Sequence, residues 1–90
     1  MYSRSGDFEV RVRFTRAVAD YIREKRWHPS QTLVEQPDQG VELHLRLGSL
    51  EEISRWILGW GAQATVLHPP ELVTLIRTTA TELVKNYPQA

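Results

Sequence analysis

Hydrophobic and polar residues alternate along two stretches of this chain and then change period, and the changes divide it into elements. Phe8, Val10, Val12 and Phe14 alternate with Glu9, Arg11 and Arg13, the period of two that gives a strand one dry and one wet face. Val41, Leu43, Leu45 and Leu47 alternate with Glu42, His44 and Arg46 and predict another such strand, entered through the turn residues Pro37-Asp38-Gln39-Gly40. Proline presets the first central position of a type I turn, and glycine is expected where φ becomes positive. Beyond Leu47 the period lengthens, and Leu50, Ile53, Trp56, Ile57 and Trp60 form one stripe of an amphipathic helix. Ser49 and Glu52 have the spacing of a capping box, and Gly59 and Gly61 offer the left-handed residue that ends such a helix.

The intervening segments complete the pattern. Arg16 to Arg26 reads as a helix with Thr15 as its cap, Val18, Tyr21, Ile22 and Lys25 on one side with Ala17 beside them, and Arg23, Lys25 and Arg26 at the negative end of its dipole. Pro29 forces His28 out of helical geometry. Gln31 to Gln36 predicts a short strand whose inward face is open, because Leu33 and Val34 are adjacent. Ala62 to Leu67 predicts a fourth strand with Ala64 and Val66 inward, ended by His68-Pro69-Pro70. From Pro70, suited to a first helical position, Leu72, Leu75, Ile76, Thr79, Ala80, Leu83, Val84 and Tyr87 form a stripe running toward the C-terminus.

The order β-α-β-β-α-β-α defines an α+β chain. Its first six elements match the ferredoxin-like split βαβ arrangement, with sheet order 4-1-3-2, both helices on one face, and one additional C-terminal α-helix. Residues 1–7 read as a linker or disordered N-terminus and 8–90 as a single domain. Two helices on four strands already close a two-layer core. The last helix therefore brings apolar surface that must be covered by the sheet edge, by the other helices or by another chain.

Composition narrows the function classes. With 11 basic and 11 acidic residues the formal net charge is zero, so no global field draws the chain to nucleic acid or an anionic membrane. There is no cysteine, hence no disulfide framework or thiolate chemistry, as expected of a cytoplasmic protein. No apolar run approaches the roughly 20 residues of a membrane span. His28, His44 and His68 lack metal-site spacing. No carboxylate pair, Ser-His-Asp set or glycine-rich phosphate loop is legible, so the expectation is a non-enzyme with no catalytic residues, no metal and no cofactor.

The wet sheet face should show Glu9, Arg11 and Arg13 beside Glu42, His44 and Arg46. Cross-strand ion pairing explains such a face most simply. Its sharper reading is a ligand or nucleic-acid surface carried by Arg11, Arg13, His44 and Arg46. Even three arginines on phosphates would give a single-strand salt slope of only about −2, and the strand lacks aromatics on which bases would stack. Trp27 and His28, beside the proline, and Leu72, Leu75 and Ile76 on the last helix are the candidate interface residues.

Arg23-Glu24-Lys25-Arg26-Trp27-His28-Pro29-Ser30-Gln31, then Leu50-Glu51-Glu52-Ile53 with Arg55-Trp56-Ile57-Leu58, and the tail from Gly59-Trp60-Gly61-Ala62 through Val66-Leu67 to Pro70-Glu71-Leu72 together resemble the WCX domain, the C-terminal extension of WYL-domain transcriptional regulators of bacteria. The likeness runs from about Phe8 to Tyr87. It implies a full-length protein with an N-terminal winged helix-turn-helix for DNA and a central WYL domain sensing a nucleotide or single-stranded nucleic-acid effector. The present module would then serve as a homodimerisation and signal-transmitting part, with exchange across the two-fold common in the family. The family offers no catalytic residues to carry over. Two rivals share the architecture. A free-standing ACT-like small-ligand-binding domain would want a glycine loop after the first strand, where Thr15-Arg16 stands. An acyl-phosphate hydrolase would want an arginine-bearing phosphate loop there and an asparagine on the third strand, where His44 and Arg46 stand.

Overall fold

The computed structural model describes residues 8–88; the expectation for residues 1–7 lies outside the described residues. The elements are β1 (Phe8–Phe14), α1 (Arg16–Glu24), β2 (Thr32–Glu35), β3 (Val41–Leu47), α2 (Glu51–Leu58), β4 (Ala64–His68) and α3 (Pro70–Lys85). The sheet runs β2-β3-β1-β4, which counted from the opposite edge is 4-1-3-2, and all of its pairings are antiparallel. All three helices contribute to one side. Val10, Val12 and Phe14 of β1, Val41, Leu43 and Leu45 of β3, Ala19 and Ile22 of α1, Ile57 of α2 and Leu72 of α3 form a single buried cluster.

Alternation on β1 and β3 thus places every core side chain on the face where it was expected. The adjacent Leu33 and Val34 are also resolved: Leu33 packs on the core and Val34 turns outward, 39% exposed. Ala64 and Val66 of β4 both face the core.

Several local expectations are corrected. Helix α1 stops at Glu24, with Lys25 already extended at φ −127° and ψ 153°. Its buried residues are Ala19 and Ile22, while Tyr21 is 61% exposed. Thr15 precedes the helix without capping it through its side chain; its hydroxyl instead bonds Gln63 Oε1. The expected capping box at Ser49 does not form, because α2 begins at Glu51 after Leu50 with no side-chain cap. Within α2, Ser54 donates back to the carbonyl of Glu51 at 2.7 Å, which satisfies a hydroxyl that is nearly buried.

Glycine acts at other places than expected. In the β2–β3 turn the positive φ belongs to Gln39, at 73°, following a turn closed by Gln39 N–H on the Gln36 carbonyl. Gly40 is required for closeness, since a Cβ there would lie 2.5 Å from the Phe14 carbonyl oxygen. After α2, Gly59 stays right-handed at φ −64° and Gly61 alone turns left-handed at φ 63°. A short 3-10 turn, Gly61–Gln63, then shifts β4 to Ala64–His68, so His68 belongs to the strand and not to a loop.

Candidate functional site

Between the end of α1, the start of α2 and the far end of β3 lies a cleft of about 570 Å³, lined by aromatic and aliphatic walls from Trp27, Trp56, Ile53, Leu45 and Leu47, with His28, Ser49 and Glu52 at its polar margin. Its back wall is an aromatic cluster. Trp56 lies 5.0 Å from Trp27 and 5.8 Å from Phe14 and Trp60 between ring centroids, with the pairs tilted or edge-to-face, the arrangement ring quadrupoles favour. The indole N–H of Trp27 donates to the Ile22 carbonyl at 3.0 Å, so this ring is anchored at the end of α1 and closes the cleft from one side.

The segment Trp27–Gln31 is held by its own polar side chains. Gln31 Oε1 accepts from the backbone N–H groups of Trp27 and His28, the latter at 3.2 Å, while its Nε2 donates to the Lys25 carbonyl at 3.4 Å. These bonds stop α1 early. The Ser30 N–H donates to His28 Nδ1 at 3.1 Å, so that nitrogen is an acceptor and the neutral ring carries its proton on Nε2. Ser30 Oγ lies 2.7 Å from the same Nδ1, accepts from Arg46 N–H at 3.0 Å and lies 3.3 Å from the Arg46 carbonyl oxygen. The stretch that carried the family resemblance is therefore a clasp fastening the α1–β2 connection to β3. Trp27 and His28, expected at an interface, are half-buried and line the cleft.

The other surface is the open face of the sheet. Register sets Glu9 opposite Arg46, Arg11 opposite His44 and Arg13 opposite Glu42, which brings Arg11, Arg13, His44 and Arg46 onto one face. Arg13 pairs with Glu42 at 3.0 Å, and His44 Nε2 lies 3.1 Å from the other oxygen of the same carboxylate. The hydrogen bond from His44, then that from Arg13, holds the Glu42 carboxyl below the ordinary glutamate range. Arg23 forms a second charged group at the edge, meeting Glu35 at 2.7 Å and Asp20 at 2.6 Å. The Glu35 bond holds the guanidinium pKa up, and the same contact draws the Glu35 carboxyl down. Among the described residues no group of three or more His, Asp or Glu side chains is placed to hold a metal.

The third surface is α3. Leu72 is fully buried in the chain's own core, and Leu75 and Ile76 pack against that core. Leu72, expected among the interface residues, is thus placed in the chain's own core. The helix continues past the body, where Leu83, Val84 and Tyr87 are 50%, 68% and 73% exposed. Periodicity could not separate the two halves of α3, because the stripe itself does not record where the underlying sheet ends. The cleft was equally hidden, since Trp27 and His28 meet the stretch from Leu45 to Trp56 only in the folded chain. His68 was missed because a one-residue shift moved it into β4.

Among the described residues no helix is long and apolar enough to cross a membrane. No curated protein sequence matches the chain. The family model of the WCX domain matches residues 6–84, which takes in the clasp, the cleft, both faces of the sheet and nearly all of α3. The chain therefore belongs to the WCX domain family, a family of regulatory domains.

Proposed function

We propose that the chain is the C-terminal regulatory and dimerisation module of a WYL-type winged-helix transcriptional regulator, built on a ferredoxin-like fold and without enzymatic activity. It would pass effector binding in a WYL domain to a DNA-binding winged helix, both outside this chain. The observation that carries the reading is the family match over residues 6–84. The uncovered end of α3 supports its dimeric part, because Leu83, Val84 and Tyr87 form an apolar surface with nothing over it among the described residues. The role of Ser30 supports the non-enzymatic part: its hydroxyl, although beside a histidine, is occupied with the backbone of Arg46.

Sedimentation across a wide concentration range tests the dimer. The expected result is a wild-type dimer that Leu83→Glu dissociates while circular dichroism stays native. A wild type that remains monomeric at the highest concentrations removes dimerisation from the reading. The cleft favours a second reading, a small-ligand-binding domain, since about 570 Å³ of mostly apolar and aromatic lining is the size and character of small-molecule sites; it lies at the far end of β3 and away from the loop after β1 that an ACT-like site would use.

A further inference from the structure

The open sheet face divides into rows running across the strands. One row is Val34, Glu42, Arg13 and Thr65, and its charges cancel in the Arg13–Glu42 pair. Another sets Glu9 opposite Arg46, again one charge of each sign. Between them lies Thr32 opposite His44, His44 opposite Arg11, and Arg11 opposite His68. This row spans all four strands and contains hydroxyl, imidazole and guanidinium groups with no acid. The positive charge of the face is therefore concentrated at its centre, on Arg11.

Arg11 is also the cation whose needs the fold leaves unmet. It is half-buried, its Nε is covered and has no hydrogen-bond partner, and it takes part in none of the ion pairs among the described residues. A guanidinium with a covered stem is held in place, and its terminal nitrogens remain available as a two-pronged donor. On the β3 side His44 is directly opposed in regular register, about 5 Å away, and on the β4 side His68 is the partner of Arg11 across a register shift between Arg11 and Val12. His68 is half-buried and its ring makes no hydrogen bond among the described residues, and the His44 ring spends only Nε2, on Glu42.

We infer that Arg11, flanked by His44 and His68, is a binding site for a phosphate group. A carboxylate has two oxygens, which the guanidinium alone can satisfy. A phosphate has additional oxygens for a ring N–H of His68 and, in the imidazolium form of His44, for its Nδ1–H, the Nε2–H being spent on Glu42, so these side chains around Arg11 fit the tetrahedral anion better. The site differs from a patch of three arginines: Arg13 is committed to Glu42, and His68 on β4 takes its place.

Nuclear magnetic resonance titration of the whole chain with inorganic phosphate, against acetate at matched ionic strength, tests the site. Phosphate is expected to give saturable shifts at Arg11 Nε and at the His44 and His68 rings, at least tenfold weaker in Arg11→Gln. His68→Gln, which leaves the central arginine in place, is expected to weaken binding about threefold. Binding within twofold of wild type in a folded Arg11→Gln, absence of saturation by phosphate, or an equal response to acetate would overturn the site. Short oligothymidylate identifies the source of the phosphate. Arg11-dependent binding tighter than that of the inorganic ion assigns the site to a nucleic-acid strand, and weaker binding assigns it to a small phosphorylated ligand.

Discussion

Val12 and Arg11 are adjacent on β1, as Leu43 and His44 are on β3, yet each pair straddles two different environments. Val12 and Leu43 face the helices and have no exposed surface, whereas Arg11 and His44 face outward and are half-buried. The helix-side face is covered by contacts made within the chain, a continuous apolar layer ending in the tryptophan cluster. The open face is stabilised pair by pair, and one of its central groups, Arg11, takes part in no ion pair among the described residues. Stability therefore concentrates on one face and adaptability on the other.

The largest test of this comparison sets neighbours on one strand against each other. Leu43→Ala should cost about 2–5 kcal/mol, because it leaves a cavity in a close-packed layer, while His44→Ala should stay within about 1 kcal/mol, the range of a surface pair. Urea denaturation measures both. Equal costs would mean that the two faces share the burden and that the division is wrong.

How much of this was legible follows the same division. The inward residues of β1 and β3 were readable because a strand permits only two faces, and a neighbour's polarity tells which is which. The stripe of α2 was readable for the analogous reason. Helix ends were less so: Ser49 has capping spacing, but the chain enters α2 one residue later, and α1 ends where Gln31 captures backbone groups far enough along the chain to escape a local rule. Gly40 was recognised as a turn residue, although its small size serves the approach of Phe14 and Gln39 takes the positive φ. The candidate residues of the sheet face could be grouped by alternation. The charge pattern across strands depends on register, and the shift between Arg11 and Val12 on the β4 side cannot be read from either strand alone.

A smaller effect is expected at the boundary of the two faces. Ser30→Ala removes the hydroxyl that bonds the backbone of Arg46, and should cost about 1 kcal/mol. Hydrogen exchange should accelerate at the Arg46 amide more than at Leu43. Unchanged exchange at Arg46 would show that the clasp contributes nothing to holding the strand.

The smallest effect belongs to Glu42 on the open face. Its carboxyl is held below the ordinary value by His44 and Arg13, so the stabilisation is complete above the unfolded-state pKa of about 4.3. It is lost as pH falls through the lower folded-state value. Glu42→Gln should therefore be less stable than wild type at neutral pH by about 1 kcal/mol or less, with the difference shrinking at acid pH. Melting temperatures measured between neutral and strongly acid pH check this, and a difference that grows on acidification would contradict the assignment.

The attachment of Ser30 to Arg46 also bears on aggregation. Strand β2 is shorter than β3, and its pairing ends with Thr32 opposite His44. Arg46 lies two residues further along, on the side where a longer strand would have continued, and an unpaired amide and carbonyl there would be a template for a strand from another molecule. Ser30 Oγ lies within bonding distance of both groups. A single hydroxyl thus stands in for a missing stretch of β2, and its removal would leave the rim of the sheet open to edge-to-edge growth.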